Sequence, residues 1–376
     1  MKKVGIITSY LDFDKNYGGI LQGYALSKIV LGLGFDAYIM PYVYEHVKEK
    51  NDVFHLVFRF FRNAYINLKN PECKSQAELY KMIFDFTCSN LPLYQKNRIS
   101  ISELTKVSHD FHAFISGSDQ VWSTKLQQNH CDPGMFLKFV PEGVRKIAYA
   151  PSMGSTTAMS QETAEEFKNA VTRYDYISAR EVQGQQLIKA ITGLDAPLVL
   201  DPTLLLPLEK WESFMDIPQK LPDEYILVYR FGNMKYTVDS INEIQKNYNL
   251  PIIELPSSAV SMSDKLEKRY DINPAQFLGI IKNATLVLTD SFHCTVFSIL
   301  LKTQFLTFYR QAPESASNMN GRIDDLLELT NLNSRLIKPG QNIINKDITP
   351  KEFEDAHKRI EEKRAFSYDY LKTALL

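Results

Sequence analysis

Short runs of β-branched and apolar residues alternate with stretches of helical period along most of this chain. This alternation is typical of α/β units, in which parallel strands form a sheet that helices cover. It therefore constrains the fold class more than any single motif does. We expect strands at residues 3–8, 36–40, 113–116, 146–150, 174–179, 198–200, 225–229, 252–255, 286–289 and 305–308.

The length of the chain indicates more than one domain, because 376 residues exceed the size of a typical single core. The alternation is interrupted around Pro202, Pro207 and Pro222, with Trp211 opening a short helix between them. We place a domain boundary near residues 205–222. The prediction is a first domain at 1–210, a second at 220–348 and a charged C-terminal helix at 349–376, with Pro350 in its first turn.

Composition and charge exclude several classes of protein. The formal net charge of -1 gives no field that would draw nucleic acid, so no nucleic-acid partner is expected. Four scattered cysteines form no CxxC pair, which argues against a zinc site or a disulfide framework and fits a reducing compartment. The N-terminus lacks a signal-peptide core, and no apolar run approaches the roughly 20 residues of a membrane span. We expect a cytoplasmic protein that holds no metal.

Residues 52–100 depart from the alternation and predict a helical insertion in the first domain. The segment is rich in phenylalanine and includes the sequence FRFFR at 58–62. One interpretation is an amphipathic helix at 53–69 that rests on the inner face of the membrane. The other is a helix packed on its own domain with its arginines in water, and this needs fewer assumptions.

The strongest candidate for a functional element is TLVLTDSFHCTVFS at residues 285–298. An apolar strand ends at Asp290, a polar turn follows, and His293 stands at the start of an apolar helix. The free N–H groups and the dipole of such a helix start bind anions. A histidine there can exchange a proton near neutral pH. The alternative is a structural histidine on a helix that Asp290 or Ser291 caps.

Other polar residues follow predicted strands, where doubly wound sheets bind their ligands. In the first half they are Asn16, Gly18, Gly19 and Gln22, then Ser118, Asp119 and Trp122. In the second half they are Arg230 and Arg310, with Asn320 and Arg322 before a further helix. Arginine binds phosphate or carboxylate with a planar fork. Arginines beside the helix start at His293 therefore suggest a dianionic ligand, although any single arginine also suits a plain surface position.

These stretches carry a resemblance to a known family. The matching segments are NYGGILQGYAL (16–26), SGSDQVW (116–122), IAYAPSMG (147–154), ISARE (177–181), VLDPTLLL (199–206), LTDSFHCTVFSI (288–299) and NGRIDDLLELTNL (320–332). These segments occur in the order found in a known family. With them and with Trp211, the chain resembles the polysaccharide pyruvyl transferases over residues 3–335.

The resemblance implies a fold and an activity. The fold would be α/β, with two Rossmann-like domains that face a cleft as in the GT-B enzymes, and with the C-terminal helix packing back toward the first domain. The activity would be transfer of a pyruvyl group from phosphoenolpyruvate to two hydroxyls of a sugar, forming a ketal in surface or capsular polysaccharide biosynthesis. No cofactor is implied. The sugar acceptor could be lipid-linked, nucleotide-linked or free.

With this chemistry, His293 is the expected general acid, and Asp119 the expected base or hydroxyl-orienting group, with a turn cap as its alternative. The expected donor-binding residues are Ser291, Thr295, Arg230, Arg310, Asn320 and Arg322. The expected acceptor-binding residues are Asn16, Gly18, Gly19, Gln22, Ser118 and Trp122, and a core role is equally open for Trp122. Better-known members carry Arg-Leu-His where this chain has Ser291-Phe292-His293. One of the other arginines must then replace the missing one.

Two other functions remain open from the sequence. A GT-B glycosyltransferase would seat the diphosphate of a nucleotide sugar at the same helix start. A non-catalytic protein that binds sugars or phosphorylated metabolites would bind without turnover and would tolerate His293→Asn.

Overall fold

The computed structural model describes residues 1–10, 16–42, 44, 71–232, 234–257, 267–312, 315, 319–341 and 347–376. Two separate parallel sheets organise these residues. The first has the order β2-β1-β3-β4-β5, with β1 Lys3–Ile7, β2 Asp36–Ile39, β3 Ala113–Ser116, β4 Arg145–Ala148 and β5 Tyr176–Ile177. The second has the order β11-β10-β9-β6-β7-β8, with β6 Ile226–Tyr229, β7 Ile252–Glu254, β8 Glu267–Lys268, β9 Leu286–Thr289, β10 Phe305–Phe308 and β11 Leu336–Ile337.

Helices cover both sheets. Those of the first domain are α1 Tyr17–Gly32, α2 Pro71–Asn90, α3 Ile101–Val107, α4 Gln161–Val171 and α5 Val182–Thr192. The connection carries α6 Pro202–Leu205 and α7 Leu208–Phe214. The second domain and the C-terminus carry α8 Lys235–Tyr248, α9 Pro274–Lys282, α10 Phe292–Leu300, α11 Gly321–Thr330 and α12 Pro350–Leu375. The predicted α/β class with two Rossmann-like domains is confirmed.

The strand order reverses at one place in each sheet, and this positions the site. In the first sheet β1 lies between β2 and β3, and in the second β6 lies between β7 and β9. At such a switch point the loops that leave the carboxyl ends of neighbouring strands turn to opposite faces of the sheet and open a crevice between them. Both domains therefore offer a crevice at the carboxyl ends of their strands.

Most of the predicted strands are present, and the differences have local causes. The prediction of a strand at 198–200 is wrong: Leu198 forms only an isolated bridge with Ala179, and Asp201 then caps α6. The strands β8 and β11 were not predicted. Each has two residues, too few to show an alternating pattern.

The C-terminal helix α12 begins as predicted, with Thr349 as N-cap in a capping box and Pro350 in the first turn. It contacts both domains. Near its start, a ring nitrogen of His357 hydrogen-bonds the carbonyl of Ile299 at 2.9 Å. Further along, Ser367 Oγ accepts from the N–H of Leu200 at 3.0 Å. The residue limits of the two domains stay a prediction.

Only part of the predicted insertion at 52–100 is among the described residues. That part contains α2, whose Leu79 and Ile83 are buried in the core of the first domain. The stretch 53–69, to which the membrane prediction applies, lies outside the described residues. Among the helices that the structure describes, none combines the length and apolar character that a membrane crossing requires.

Tyr17, the first residue of α1, ties the two domains together. Its fully buried ring stacks on Phe277 of the second domain with the ring centroids 4.6 Å apart. Its hydroxyl donates to the carbonyl of Ile272 at 2.9 Å. The N-terminus of α1 is thereby held against the second domain.

Tyr17→Phe should lower the free energy of unfolding by about 1–3 kcal/mol, because the buried carbonyl of Ile272 loses its donor. Urea denaturation followed by circular dichroism measures the change. Tyr368→Phe, at a tyrosine that is 38% exposed, is the matched control and should leave the midpoint unchanged. An equal effect of both substitutions would contradict the assigned contact.

Candidate active site

A cavity of about 450 Å³ lies between the two domains at the carboxyl ends of both sheets. Its first-domain wall consists of Asn16, Asp119, Gln120, Leu126 and Ser155. Its second-domain wall consists of Phe231, Ser291, Phe292, His293, Arg310, Gln311, Met319 and Arg322. Loops of both switch points thus enclose one site, as the doubly wound sheets predict.

The start of α10 forms the floor of the second-domain side. Ser291 is the N-cap, and its Oγ accepts from the N–H of Cys294 at 3.4 Å. The first N–H groups of a helix have no acceptor within the helix, so those at Phe292 and His293 are available to an anion. Thr295 lies below, fully buried, with its Oγ1 donating to the carbonyl of Ser291 at 2.9 Å. Thr295 therefore supports the turn and does not reach the cavity.

Asp290, the other candidate cap, ties neighbouring loops together instead. Its carboxylate accepts the N–H groups of Phe231 at 2.8 Å and Gly232 at 2.6 Å. Arg310 Nε lies 3.7 Å from the same carboxylate, and its guanidinium lies over the ring of Phe231 at 4.5 Å. This arrangement fixes Arg310 along the cavity wall.

His293 reaches across to the first domain, where its ring packs on the N-terminus of α1. A Cβ added to Gly18 would lie 2.2 Å from His293 Nδ1, and one added to Gly19 would lie 2.9 Å from the carbonyl oxygen of Ser9. The glycine pair therefore makes room for the imidazole and for a neighbouring loop. This differs from the predicted role of Gly18 and Gly19 as acceptor-binding residues.

The other edge of the imidazole faces Asp201. The Nε2 of His293 lies 3.6 Å from Oδ2 of Asp201. The same oxygen accepts from Arg180 Nη1 at 2.9 Å and from Ser118 Oγ at 3.1 Å. The other oxygen, Oδ1, accepts the N–H and the hydroxyl of Thr203 at 3.0 and 2.7 Å. Burial opposes the charge of Asp201, but His293, Arg180 and the N–H of Thr203 hold its pKa well below its usual range.

Arg180 is the centre of a buried ion-pair network. Besides Asp201 it contacts Asp119 at 3.5 Å and Glu181 at 3.4 Å. Although burial opposes its charge, Asp201, Glu181 and Asp119 together raise the pKa of Arg180. Asp119 has a left-handed φ of 63° and lines the cavity, so Arg180 holds a strained loop residue at the edge of the site.

Arg322 has a different electrostatic environment. It is buried, its Nε donates to the carbonyl of Met319 at 3.4 Å, and among the described residues no carboxylate lies within ion-pair distance of it. Burial and the neighbouring Arg180 and Arg310 lower its pKa to about 10, which leaves it cationic at neutral pH. A buried cation that lines a cavity and lacks an anionic partner would be stabilised by an anionic ligand.

Several predicted site residues lie outside the cavity wall. Arg230 is buried, donates to the carbonyl of Gly232 at 2.7 Å and faces Glu254 at 4.0 Å. Asn320 is buried before α11, where its side-chain amide donates to the carbonyl of Gln311 at 2.9 Å. Their predicted contact with the donor is therefore not supported by the geometry: both side chains are directed at their own loops.

Three predicted acceptor residues are also enclosed. Trp122 is fully buried and stacks on Phe136 with centroids 5.5 Å apart, so its indole cannot stack on a sugar. Gln22 donates to Thr8 Oγ1 at 2.7 Å and supports the loop after β1. Ser118 is buried against Asp201, as described above. These three side chains are enclosed by the protein itself, and none of them is among the residues that line the cavity.

The residues Arg180, Glu181 and Asp201 were not predicted as site residues. They lie within the ISARE and VLDPTLLL segments, so the signal was present in the sequence. Their position beside His293 depends on how the two domains pack, and no local pattern shows this.

The comparison with known proteins now decides the family. A sequence model of the polysaccharide pyruvyl transferases matches residues 16–311. The chain belongs to the polysaccharide pyruvyl transferase family. A search of curated proteins finds none that matches the chain.

Solved structures of other proteins are similar in fold to this member of the polysaccharide pyruvyl transferase family. The S. aureus MnaA–UDP co-structure is 12% identical, covers 96% of this chain and 88% of its own, and has a TM-score of 0.52. The Methanocaldococcus jannaschii UDP-GlcNAc 2-epimerase in complex with UDP-GlcNAc and UDP is 15% identical, with coverages of 96% and 92% and a TM-score of 0.46. The E. coli heptosyltransferase WaaC is 11% identical, with coverages of 87% and 99% and a TM-score of 0.34. The fold is of the GT-B type, as predicted.

Asp201→Asn should make the free energy of unfolding depend less steeply on pH in the acid range. Because the folded-state pKa of Asp201 is depressed, its ionisation contributes stability that is complete above the unfolded-state pKa of about 4 and is lost progressively as the pH falls from there toward the folded-state pKa. Between about pH 5 and 3 the wild-type free energy of unfolding should fall more steeply than that of the variant. Urea titrations at each pH measure both slopes. Asp355→Asn, at an exposed carboxylate of α12, should keep the wild-type slope, and equal slopes for all three proteins would contradict the assignment.

Proposed function

We propose that the protein transfers a pyruvyl group from phosphoenolpyruvate to two hydroxyls of a sugar, with release of phosphate, in the synthesis of a surface or capsular polysaccharide. The observation that carries the proposal is the pairing of two features in one cavity. One is the imidazole of His293 against Asp201, and the other is the buried cation of Arg322, which has no carboxylate partner among the described residues. Membership of the family supports a pyruvyl donor.

The donor would bind on the second-domain side. Phosphoenolpyruvate carries its phosphate and its carboxylate on the same carbon, carbon 2, so its site needs closely spaced cations or N–H donors. Arg322, Arg310 and the start of α10 at Ser291 supply them along one wall. Ser291 stands where better-known members have an arginine, and Arg322 would take over the charge of that missing side chain.

The reaction would begin when His293 donates a proton to carbon 3 of the donor, which makes carbon 2 electrophilic. A sugar hydroxyl then forms a bond to carbon 2, and Asp119 accepts its proton. The bond from carbon 2 to the phosphate oxygen breaks, and phosphate leaves with that proton. The second hydroxyl adds to carbon 2 and its proton restores His293. Two hydroxyl protons are thus consumed, one in the new methyl group and one on phosphate.

The acceptor would bind on the first-domain side, next to Asp119. Asn16, Gln120 and Ser155 offer amide and hydroxyl groups there that suit sugar hydroxyls. The chemistry requires no cofactor. We also propose that the protein works in the cytoplasm on a sugar acceptor that can be lipid-linked, and that residues 53–69 bring it to the inner face of the membrane.

His293→Asn should fold normally and lower acceptor-dependent phosphate release by about 10²–10⁴-fold, because general acid catalysis is lost. The assay incubates the protein with phosphoenolpyruvate and a panel of free, nucleotide-linked and lipid-linked sugars. His109→Asn, at an exposed position, is the matched control and should keep full activity.

The same assay separates the other functions. Turnover of a uridine or guanosine diphosphate sugar in place of phosphoenolpyruvate would identify a glycosyltransferase. Binding without turnover, unchanged in His293→Asn, would identify a binding protein.

Arg322→Gln should raise the KM for phosphoenolpyruvate by about 10–100-fold, since a hydrogen bond to a charged group contributes about 1.5–3 kcal/mol. The KM for the acceptor should change little because Arg322 lies on the opposite wall. Arg359→Gln, at an exposed arginine of α12, is the matched control. If only the KM for the acceptor rose, Arg322 would belong to the acceptor subsite, and the assignment of Arg322 to the donor would be wrong.

A further inference from the structure

We infer that Asp201 is a positioning residue that fixes the tautomer of His293: it keeps hydrogen on Nε2, so that Nδ1 is the nitrogen that takes up a proton to form the imidazolium and passes that proton to the donor. For the reaction step, the inference rests on the proposed function. The geometry that carries it belongs to the residues of this chain alone.

The first observation is the environment of Nε2. This atom is buried and finds no hydrogen-bond partner within 3.5 Å in the part of the chain that the structure describes, while Oδ2 of Asp201 lies 3.6 Å away. An ionised carboxylate can only accept hydrogen bonds, so the nitrogen that faces it is the one that carries hydrogen. Catalytic hydrogen bonds are often long without substrate and shorten in the complex.

The second observation is that Asp201 cannot turn away from the imidazole. Thr203 donates twice to Oδ1, and both Arg180 and Ser118 donate to Oδ2. Four donors therefore hold the carboxylate from three segments of the chain. Asp201 is therefore a fixed reference against which the imidazole aligns.

The third observation concerns Nδ1. This nitrogen lies on the side of Gly18, where a Cβ would approach it to 2.2 Å. The N–H of Gly18 is already donated to Asn16 Oδ1 at 3.1 Å, and Asn16 lines the cavity. His293 itself lines the cavity, and glycine at position 18 leaves room for Nδ1 against the start of α1, whereas any other residue would push the ring out of line with Asp201.

The charged groups around the imidazole come from three places. The segment that connects the domains provides Asp201. The first domain provides Asp119 and Arg180, and the second domain provides Asp290, Arg310 and Arg322. Among the described carboxylates, only Asp201 lies within 4.0 Å of a ring nitrogen of His293. Arg180 contacts both Asp201 and Asp119, so one guanidinium links the carboxylate that faces His293 to the proposed base.

The test is nitrogen-15 NMR of the full-length protein with labelled histidine, at a pH where the imidazole is neutral. His293 is assigned by the resonances lost in His293→Asn. The wild type should show hydrogen on Nε2 and a bare Nδ1. Asp201→Asn should redistribute the two tautomers, and Ser118→Ala should not, because three donors to Asp201 remain.

A kinetic test compares the effect of Asp201→Asn on kcat with its effect on KM. Asp201→Asn should lower kcat by about 10²–10⁴-fold with little change in the KM for phosphoenolpyruvate, because the acid is misdirected while the arginines still bind the donor. A purely structural role would instead lower the amount of folded protein and leave kcat per folded molecule unchanged, and that result would overturn the inference.

The NMR result stands apart from the proposed function. Hydrogen on Nδ1 in the wild type, or an unchanged tautomer in Asp201→Asn, would overturn the inference whatever the substrate is. Hydrogen on Nε2 in a protein that turns over no phosphoenolpyruvate would support the inference and reject the proposed function. If Asp201→Asn does not fold, the tautomer of the wild type alone decides.

Discussion

The structure depends on one contact between the domains, in which the imidazole of His293 from the second domain lies between Gly18 and Asp201 of the first. On one side the contact requires a residue without a side chain at the start of α1. On the other side it requires a carboxylate on the segment that connects the domains. The stacking of Tyr17 on Phe277 holds the same helix start in place. The contacts that pack the two domains together therefore also fix the orientation of the His293 imidazole.

The charges of the cavity are divided between its two walls. On the first-domain side the carboxylates Asp119 and Asp201 are compensated by Arg180, which burial and these contacts hold in place. On the second-domain side Arg322 has no carboxylate of its own among the described residues and faces the cavity. Because of this division, an anion would be attracted to the second-domain wall, while the first-domain wall offers oxygen atoms that can accept hydrogen bonds from hydroxyl groups.

Much of the fold could be predicted from the sequence, because buried parallel strands and amphipathic helices leave a strong periodic pattern. The strand, turn and helix around His293 were predicted for that reason. The two-residue strands β8 and β11 leave no such pattern. In the site, Arg230 and Arg322 look alike in sequence, and only the direction of each side chain separates the one that faces Glu254 from the one that faces the cavity. Asp201 faces His293, a residue far along the chain in the other domain, and no local pattern shows such a contact.

The central claim is that carbon 3 of phosphoenolpyruvate takes up a proton from an exchangeable group of the site during formation of a sugar ketal. The most direct measurement runs the reaction in deuterium oxide and examines the methyl group of the product by NMR and mass spectrometry. Exchangeable protons on the imidazole and on the sugar hydroxyls are then deuterium, so the account predicts a ketal whose methyl group carries one deuterium. A ketal with no deuterium in its methyl group, or phosphate release that yields free pyruvate and no ketal, would contradict it.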